Sequence, residues 1–580
     1  MKRSVLKTRI LSLIIKNYNW NIIFIVLNVL SILIGMLYFI FQNTSIFPNF
    51  LGFILLFTFF GNILKTYLNI KHHQIKSLNI FKLQIINYSF LSFMMIASMA
   101  ILGGNLLRSA ATPNNISFYI GGYFLTNFFF FGTLIFGIAC ASLNLKYGKY
   151  KRNYSSTNNE KKRKKKSLKY FILILKIIFK NFSKVLYFLG ILFAIVITFG
   201  SFEFITTFIA IISAQFGPFF SLIFATNTIL YLLLNKKKWS VKKYKRKRII
   251  GLLVSFVLIL PLLSSWVIEI QAKAQFSIDY GNGWEEKIPA DKREYFLQEP
   301  FSSTVYILGA PRKACKVKLN ILYYEEEHLK LYFDVYMPFN RGKGLPGQNS
   351  TLIRIHGGSW TSGDKGPLNN VQMNTYFASQ GYIVFDIQYG LHETILSLLD
   401  PTTPKYSLGN YNINDMIKHI GIFTKYLTNN SAKFGANLSS VFFSGGSSGG
   451  HLASVAALAI ASKNYSNYFS SNITVKGFIP FYPANGQMIF FGINGKKEFM
   501  NPELMVNKYS PPCLIFQGTH DILNYFNIAR KFKKAYLDNG NPRCTILWMT
   551  FGGHGSDFYF SGYYNQIFLY YMERFMYMYR

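Results

Sequence analysis

Val441-Phe-Phe-Ser-Gly-Gly-Ser-Ser-Gly-Gly-His451 is the stretch that decides the fold of the C-terminal half. It leads from an apolar, strand-like run into an Ala-rich run typical of a helix, with Ser447 at the join. Glycines flank Ser447 because a Cβ would clash where the chain reverses sharply, and the N-terminus of the following helix favours developing negative charge. The pattern predicts Ser447 as a nucleophile and the N–H of Ser448 as a donor to a substrate oxygen. A plain Gly/Ser loop is the alternative for this motif taken alone.

A second glycine-rich segment, His356-Gly-Gly-Ser-Trp360, precedes Ser447 by 91 residues. Two consecutive glycines allow backbone N–H groups to approach a carbonyl oxygen closely. Gly357 and Gly358 are therefore the expected oxyanion donors beside Ser448. The histidine that opens the segment is expected to make structural hydrogen bonds.

Two later apolar runs end in turns that carry the partners of such a nucleophile. One ends in Gly-Thr-His-Asp521 and the other in Gly-Gly-His554. We expect His554 to act as general base and then as acid, with Asp521 holding it in the useful tautomer. Asp557 is the competing acid, which we expect to be a surface residue or a cap. His451 is the competing base, which we expect to pack behind Ser447.

Short β-rich runs alternate with helical stretches from residue 315 onwards. The expected strands are 315–323, 329–336, 351–355, 382–388, 440–444, 475–481, 512–517 and 544–550, and the expected helices are 369–380, 413–428, 449–462, 526–539 and 562–578. This alternation predicts a mostly parallel eight-stranded sheet with helices on both faces.

These motifs occur together in an order that resembles the α/β-hydrolase superfamily. The resemblance is to its carboxylesterase and hormone-sensitive-lipase-like branch, which includes acetyl esterases and feruloyl-esterase-like proteins. It covers roughly residues 315 to 578 and also includes Leu331-Tyr-Phe-Asp-Val-Tyr-Met-Pro338, Gly363-Asp-Lys365 and Gly381-Tyr-Ile-Val384. The resemblance implies a serine esterase that hydrolyses carboxylic esters through an acyl-enzyme.

The charge divides the chain in two. Residues 1–268 hold 33 basic and 2 acidic residues, whereas residues 269–580 hold 29 and 22. The basic blocks lie between apolar stretches about long enough to cross a ~30 Å hydrocarbon core, which favours a membrane region over nucleic-acid binding. We expect a membrane domain at 1–268, a junction at 269–310 and the hydrolase domain at 311–580.

Seven spans are the preferred count, with six or eight as alternatives. They are expected near 21–41, 49–64, 83–104, 117–140, 185–202, 218–234 and 249–268. The basic residues fall on alternate connections: the segment before the first span carries five, and the second, fourth and sixth connections carry 4, 14 and nine. The positive-inside rule then places the N-terminus in the cytoplasm of a cell-membrane protein and the hydrolase domain outside.

Nothing in the sequence of the membrane region indicates a particular ligand. Its only histidines are His72 and His73, in a connection expected on the inner side. Polar residues such as Asn28 and Gln215 leave a cavity open as an alternative, but we prefer an anchor or partner-binding role over transport. The four cysteines have no metal-ligand spacing, and no cofactor motif occurs, so neither a metal nor a cofactor is expected.

Substrate choice is expected to lie in the loops 390–410 and 484–508, whose apolar residues favour a short or medium acyl group. These residues are Ile395, Leu398, Leu399, Met488, Ile489, Phe490, Phe491 and Met500. The expected partners are an acyl-ester small molecule or an acylated envelope glycan or lipid, together with membrane lipids. Two alternatives stay open: a membrane-dependent transacylase, and a non-catalytic binding module of the same fold.

Overall fold

The computed structural model describes residues 17–41, 49–72, 78–148, 165–200 and 204–580. The N-terminal half of the described residues consists of helices joined by short turns. Its helices are α1 (Asn17–Phe41), α2 (Asn49–His72), α3 (Leu78–Ser109), α4 (Ile116–Gly148), α5 (Lys165–Phe199), α6 (Phe204–Ser213), α7 (Gly217–Asn235), α8 (Val241–Leu263) and α9 (Ser265–Tyr280).

Within the described residues, seven helical stretches are long and apolar enough to cross a bilayer. They are Trp20–Phe41, Asn49–Lys71, Lys82–Ser109, Pro113–Lys146, Lys180–Phe199, Gly217–Asn235 and Val241–Tyr280. The predicted count of seven long apolar helices is therefore confirmed. We call α1 to α8 and their connections the membrane half.

Polar side chains inside the membrane half pair with one another. Asn28 of α1 and Asn62 of α2 exchange two amide hydrogen bonds, of 3.0 and 2.8 Å. Asn28 was one of the residues considered for a cavity, and instead both amides are buried between helices. Reciprocal pairing of this kind satisfies polar groups where water is scarce.

The last apolar stretch continues beyond the expected end of its span. After a one-residue break at Ser264 the helix resumes as α9, which reaches Tyr280 and packs on the C-terminal sheet. Residues 269–280, expected to belong to a junction, are thus a helix that covers part of the C-terminal sheet.

The C-terminal half is built on one eight-stranded sheet of order β1-β2-β4-β3-β7-β8-β9-β10. Its strands are β1 (Lys316–Glu326), β2 (Leu329–Met337), β3 (Ser350–Ile355), β4 (Ile383–Ile387), β7 (Asn437–Gly446), β8 (Val475–Phe481), β9 (Cys513–Gly518) and β10 (Cys544–Met549), while β5 (Leu391–His392) and β6 (Leu408–Gly409) form a separate pair. Strand β2 is antiparallel to both of its neighbours, and the pairs from β4 to β10 are parallel. The predicted mostly parallel sheet is confirmed.

Helices cover both faces of the sheet because its central strands are apolar on both sides. On β7, Val441 and Phe443 belong to one buried cluster and Phe442 to the other. The remaining helices are α10 (Ser303–Leu308), α11 (Val371–Ser379), α12 (Ile395–Leu399), α13 (Ile413–Phe434), α14 (Ser448–Ser462), α15 (Lys497–Met500), α16 (Phe526–Asp538) and α17 (Tyr563–Tyr579). Helices α13, α14 and α16 lie on one face, and α9, α11 and α17 on the other.

The second face also joins the membrane half, because its buried cluster runs on into α1 to α8. Helix α10 lies between the two halves. Arg108 at the end of α3 donates to the carbonyl oxygens of Leu308 and Ala310, at 2.5 and 2.7 Å. Asn49 at the start of α2 donates to the carbonyl oxygen of Phe301 at 2.6 Å. Both residues lie at helix ends next to connections that lack the basic blocks.

Candidate active site

Ser447 occupies a sharp turn between β7 and α14. Its backbone has φ 56° and ψ −121°, a conformation that is strained for a residue with a Cβ. Its N–H donates to the carbonyl oxygen of Phe481 at 3.0 Å, and its carbonyl accepts from the N–H of His451 at 3.0 Å. The strain is thus held by hydrogen bonds on both sides, and the half-buried side chain sits at the carboxyl edge of the sheet.

The glycines around Ser447 permit a close approach of two backbones. A Cβ on Gly449 would overlap the carbonyl oxygen of Ile355 and would lie 2.6 Å from that of His356. A Cβ on Gly445 would also overlap the Ile355 oxygen. The end of β3 therefore lies directly against the turn that holds Ser447.

This packing brings the first glycine-rich loop to the nucleophile. A Cβ on Gly357 would be 3.4 Å from the Cβ of Ser447. Gly358 has φ 118°, and its carbonyl accepts from the N–H groups of Thr361 and Ser362. Within residues 204–580, the N–H groups of Gly357, Gly358 and Ser448 have no protein acceptor. Donors of this kind are available to a substrate oxygen.

Asp521 and His554 lie beyond the carboxyl ends of β9 and β10 and face each other. His554 Nδ1 is 3.0 Å from Asp521 Oδ2. The other carboxylate oxygen of Asp521 accepts from the N–H groups of Leu523 and Asn524, at 3.0 and 2.9 Å. The carboxylate is fully buried, while the imidazole is 13% exposed. A fixed carboxylate thus orients a ring that still reaches solvent.

Tyr482 is a residue at the site that the sequence did not reveal. It follows β8 with φ 36°, and its ring centroid is 4.5 Å from that of His554. Its hydroxyl donates to Asp557 Oδ1 at 2.8 Å. The only signal in the sequence is an aromatic residue at the end of an apolar strand, which is too common to single out.

Asp557 is buried, so the expectation that it lies at the surface or caps a helix is wrong. Its side chain accepts from Tyr482, and its backbone carbonyl accepts from Asn370 at 3.3 Å. Burial raises the pKa of the Asp557 carboxyl above its ordinary range. The turn after His554 folds inward and places a second carboxyl near the imidazole, while Asp521 makes the direct hydrogen bond.

His451 and His356 are both sealed in the core. His451 Nδ1 accepts from the indole N–H of Trp360 at 3.3 Å, and its Nε2 donates to the carbonyl of Phe499 at 2.8 Å. His356 stacks on Tyr389 at 4.6 Å. Burial lowers the pKa of each histidine to about 4, so both are neutral at pH 7. Because both ring nitrogens of His451 are engaged, it is poorly placed to serve Ser447.

The loop after Gly358 is supported by buried charges. Lys365 Nζ is 3.1 Å from Asp334 Oδ1, and both side chains are almost fully buried. Asp386 accepts from the N–H of Gly366 at 2.8 Å and from the amide of Asn369 at 2.7 Å. These contacts indicate that Gly363-Asp-Lys365 stabilises the conformation of the loop.

The two loops expected to select the substrate are largely exposed. Phe490, Ile395 and Leu399 are 79, 78 and 75% exposed, and the Phe491 ring lies 6.1 Å from that of Trp360. Met488 is fully buried and contributes to the core instead. Within the described residues, no group of three His, Cys, Asp or Glu residues is arranged to hold a metal ion, and the four cysteines are free thiols.

Comparison with known proteins agrees with this architecture. The family model BD-FAE, an esterase family of the α/β-hydrolase type, matches residues 333–486. The fold class is therefore an N-terminal set of apolar helices followed by an α/β-hydrolase domain, as predicted. None of the curated protein sequences matches the chain.

Solved structures similar to part of this chain include esterase 2 of Thermogutta terrifontis. Its apo form is 21% identical over 45% of this chain and 91% of that one, with a TM-score of 0.34. A propionate-bound form of the same esterase is 21% identical over 42% and 85%, with a TM-score of 0.33.

Proposed function

We propose, from the premise that the chain carries an α/β-hydrolase domain with a BD-FAE match, that it is a membrane-anchored serine esterase. The observation that carries the proposal is the Asp521–His554 hydrogen bond of 3.0 Å at the same sheet edge as the strained Ser447 turn. A strained backbone conformation is usually retained at a functional site. Ser447 is the proposed nucleophile, His554 the general base and Asp521 the residue that orients it.

The proposed reaction has two acyl-transfer steps. The hydroxyl oxygen of Ser447 attacks the ester carbonyl while His554 accepts the hydroxyl proton. His554 then gives this proton to the leaving alkoxide. The N–H groups of Gly357, Gly358 and Ser448 stabilise the oxyanion. Water activated by the same imidazole then hydrolyses the acyl-enzyme.

The substrate is proposed to be an ester with a short or medium acyl group on the outer side of the cell membrane. Support for the location is that Asn49, Arg108 and Gln215, which contact the C-terminal half, all lie in or next to connections without basic blocks. Exposed apolar side chains on the loops near Trp360 support an apolar acyl group.

The test is hydrolysis of p-nitrophenyl esters from acetate to decanoate by the full-length chain in nanodiscs. The full chain is needed because α9 and the membrane half cover one face of the sheet. Ser447→Ala should lower kcat by about 10³-fold or more. Ser462→Ala, at the far end of α14, is the matched control and should keep wild-type activity. Full activity of Ser447→Ala would end the proposal.

A transacylase is the second candidate, because the loop that carries His554 rests on the membrane half. A Cβ on Gly553 would lie 3.3 Å from the carbonyl oxygen of Ala210. A site joined to membrane helices is suited to an acceptor delivered from the bilayer. An added lipid alcohol should then yield a new ester at the expense of free acid, whereas an esterase yields acid alone and a binding module yields neither.

A further inference from the structure

The connection between α5 and α7 packs against the turns that carry Asp521 and His554. Its described residues are Gly200 and 204–216, including the apolar helix α6. A Cβ on Gly200 would be 3.3 Å from the ring of His520, which precedes Asp521. Ala210 touches Gly553, which precedes His554. The membrane half therefore contacts both turns that carry the pair.

Gln215 makes the most specific of these contacts. Its side-chain oxygen accepts from the N–H of Tyr559 at 3.1 Å. Its side-chain nitrogen donates to the carbonyl of Ile211 at 2.5 Å and lies 3.5 Å from that of Gly555. One amide thus ties the last turn of α6 to the segment 555–559, immediately after His554.

The position of Gln215 is itself fixed by tyrosines of α10 and α17. The hydroxyl of Tyr306 donates to the backbone carbonyl of Gln215 at 3.0 Å, and the hydroxyl of Tyr563 donates to that of Ala214. The hydroxyl of Tyr559 donates to the carbonyl of Tyr306 at 2.5 Å, which closes the ring of contacts. Gln215 is 1% exposed.

Adhesion between the halves does not by itself require a buried amide here. Apolar contacts bury surface without the desolvation that a buried amide must offset by its hydrogen bonds. The side-chain amide of Asn49 also bridges the halves with two hydrogen bonds, but it holds Phe301 and Ser303, which lie on the junction rather than on a turn of the site. The two amides thus differ in what they hold.

We propose that Gln215 is a positioning residue that fixes the turn of His554 at its distance from Asp521, so that the membrane half completes the active site. This inference rests on the proposed serine esterase function. Without the Tyr559 contact, the segment 554–559 would lose its hydrogen-bonded support on one side. The imidazole would then spend less time in the geometry that accepts a proton from Ser447.

The experiment compares Gln215→Met with Asn49→Leu in full-length protein in nanodiscs, with p-nitrophenyl butyrate as substrate. Both changes remove the hydrogen bonds of an interdomain amide and keep similar volume. Gln215→Met should lower kcat roughly tenfold while KM changes by less than about twofold. The loss should fall on kcat because a displaced imidazole impairs proton transfer and leaves substrate binding unchanged. Asn49→Leu should keep the wild-type kcat and KM.

The results distinguish the positioning role of Gln215 from the proposed esterase function. A wild-type kcat in Gln215→Met, a rise in KM in place of the fall in kcat, or equal losses in both variants would overturn the positioning role while leaving the esterase in place. Retained activity in Ser447→Ala would instead remove the proposed function on which it rests. If Gln215→Met does not fold, Tyr306→Phe decides. This variant removes one anchor of Gln215 and should lower kcat while KM stays unchanged; an unchanged kcat would refute the role.

Discussion

The nucleophile side and the acid–base side of the candidate site are held in different ways. Ser447 and Gly357 are fixed by contacts within the hydrolase domain, where the turn lies against the end of β3. The turns of Asp521 and His554 rest in part on the membrane half, through a hydrogen bond between residues 344 positions apart. The difference teaches that a site can have one locally encoded side and one side that depends on a distant part of the chain.

The largest expected effect tests which carboxylate serves the acid–base side. Asp521→Asn should lower kcat by about 10³- to 10⁴-fold, because an amide does not hold the imidazole in the useful tautomer. Asp557→Asn should cost only about tenfold, since the amide oxygen still accepts from Tyr482. Steady-state kinetics of the full chain with a p-nitrophenyl ester measures both. The opposite order would assign the acid to Asp557.

A smaller effect is expected when the nucleophile side is disturbed by volume alone. Gly449→Ala places a methyl group against the carbonyl oxygens of Ile355 and His356, and should lower the free energy of unfolding by about 3 kcal/mol. Denaturant unfolding followed by tryptophan fluorescence measures this. Gly121→Ala, in α4 with open space around it, is the control and should have no comparable effect. Equal stability of the two variants would mean that the close approach of β3 is not required.

The smallest effect concerns His451, which is fully buried, whereas the His554 side chain is 13% exposed. The pKa of His451 is lowered to about 4 in the fold, against an ordinary value of about 6.5. Between these values the unfolded chain binds a proton that the folded protein does not, so stability is full above pH 6.5 and is lost as pH falls towards 4.

His451→Gln should therefore reduce the slope of unfolding free energy against pH in this window by up to one proton, about 1.4 kcal/mol per pH unit. Denaturant midpoints measured from pH 7.5 to 4.5 give the slope. His328→Gln, on an exposed turn, is the control and should leave the slope unchanged. A slope unaltered in His451→Gln would show that burial does not keep this ring neutral.

Much of the fold could be read from the sequence because its signals are local. All eight predicted strands occur in the sheet, since runs such as 441–443 and 513–516 are apolar throughout and bounded by turns. The seven apolar stretches were recognisable by length alone. The proposed roles of Ser447, Asp521 and His554 remain predictions, with a geometry that suits them.

Other features gave no readable signal. Helix α6 falls in an expected connection, because its ten residues, of which Thr206, Thr207 and Ser213 are polar, are too few to cross a bilayer. Asp557 was misplaced because a polar residue next to glycines usually lies at the surface, and only the packing of Tyr482 draws it inward. Gln215 was considered for a cavity, since nothing near it in the chain indicates a contact with residues 555–559.

The sequence by itself determined the two halves, the order of the strands along the chain and the residues whose spacing indicates acyl-transfer chemistry. These depend on periodicity, glycine placement and charge, which act over a few residues. Only the tertiary structure decided that α9 covers the sheet, that Asp557 is buried and that the α5–α7 connection supports the turns of Asp521 and His554. Those contacts join residues hundreds of positions apart, and burial sets their energies only once both halves have folded together.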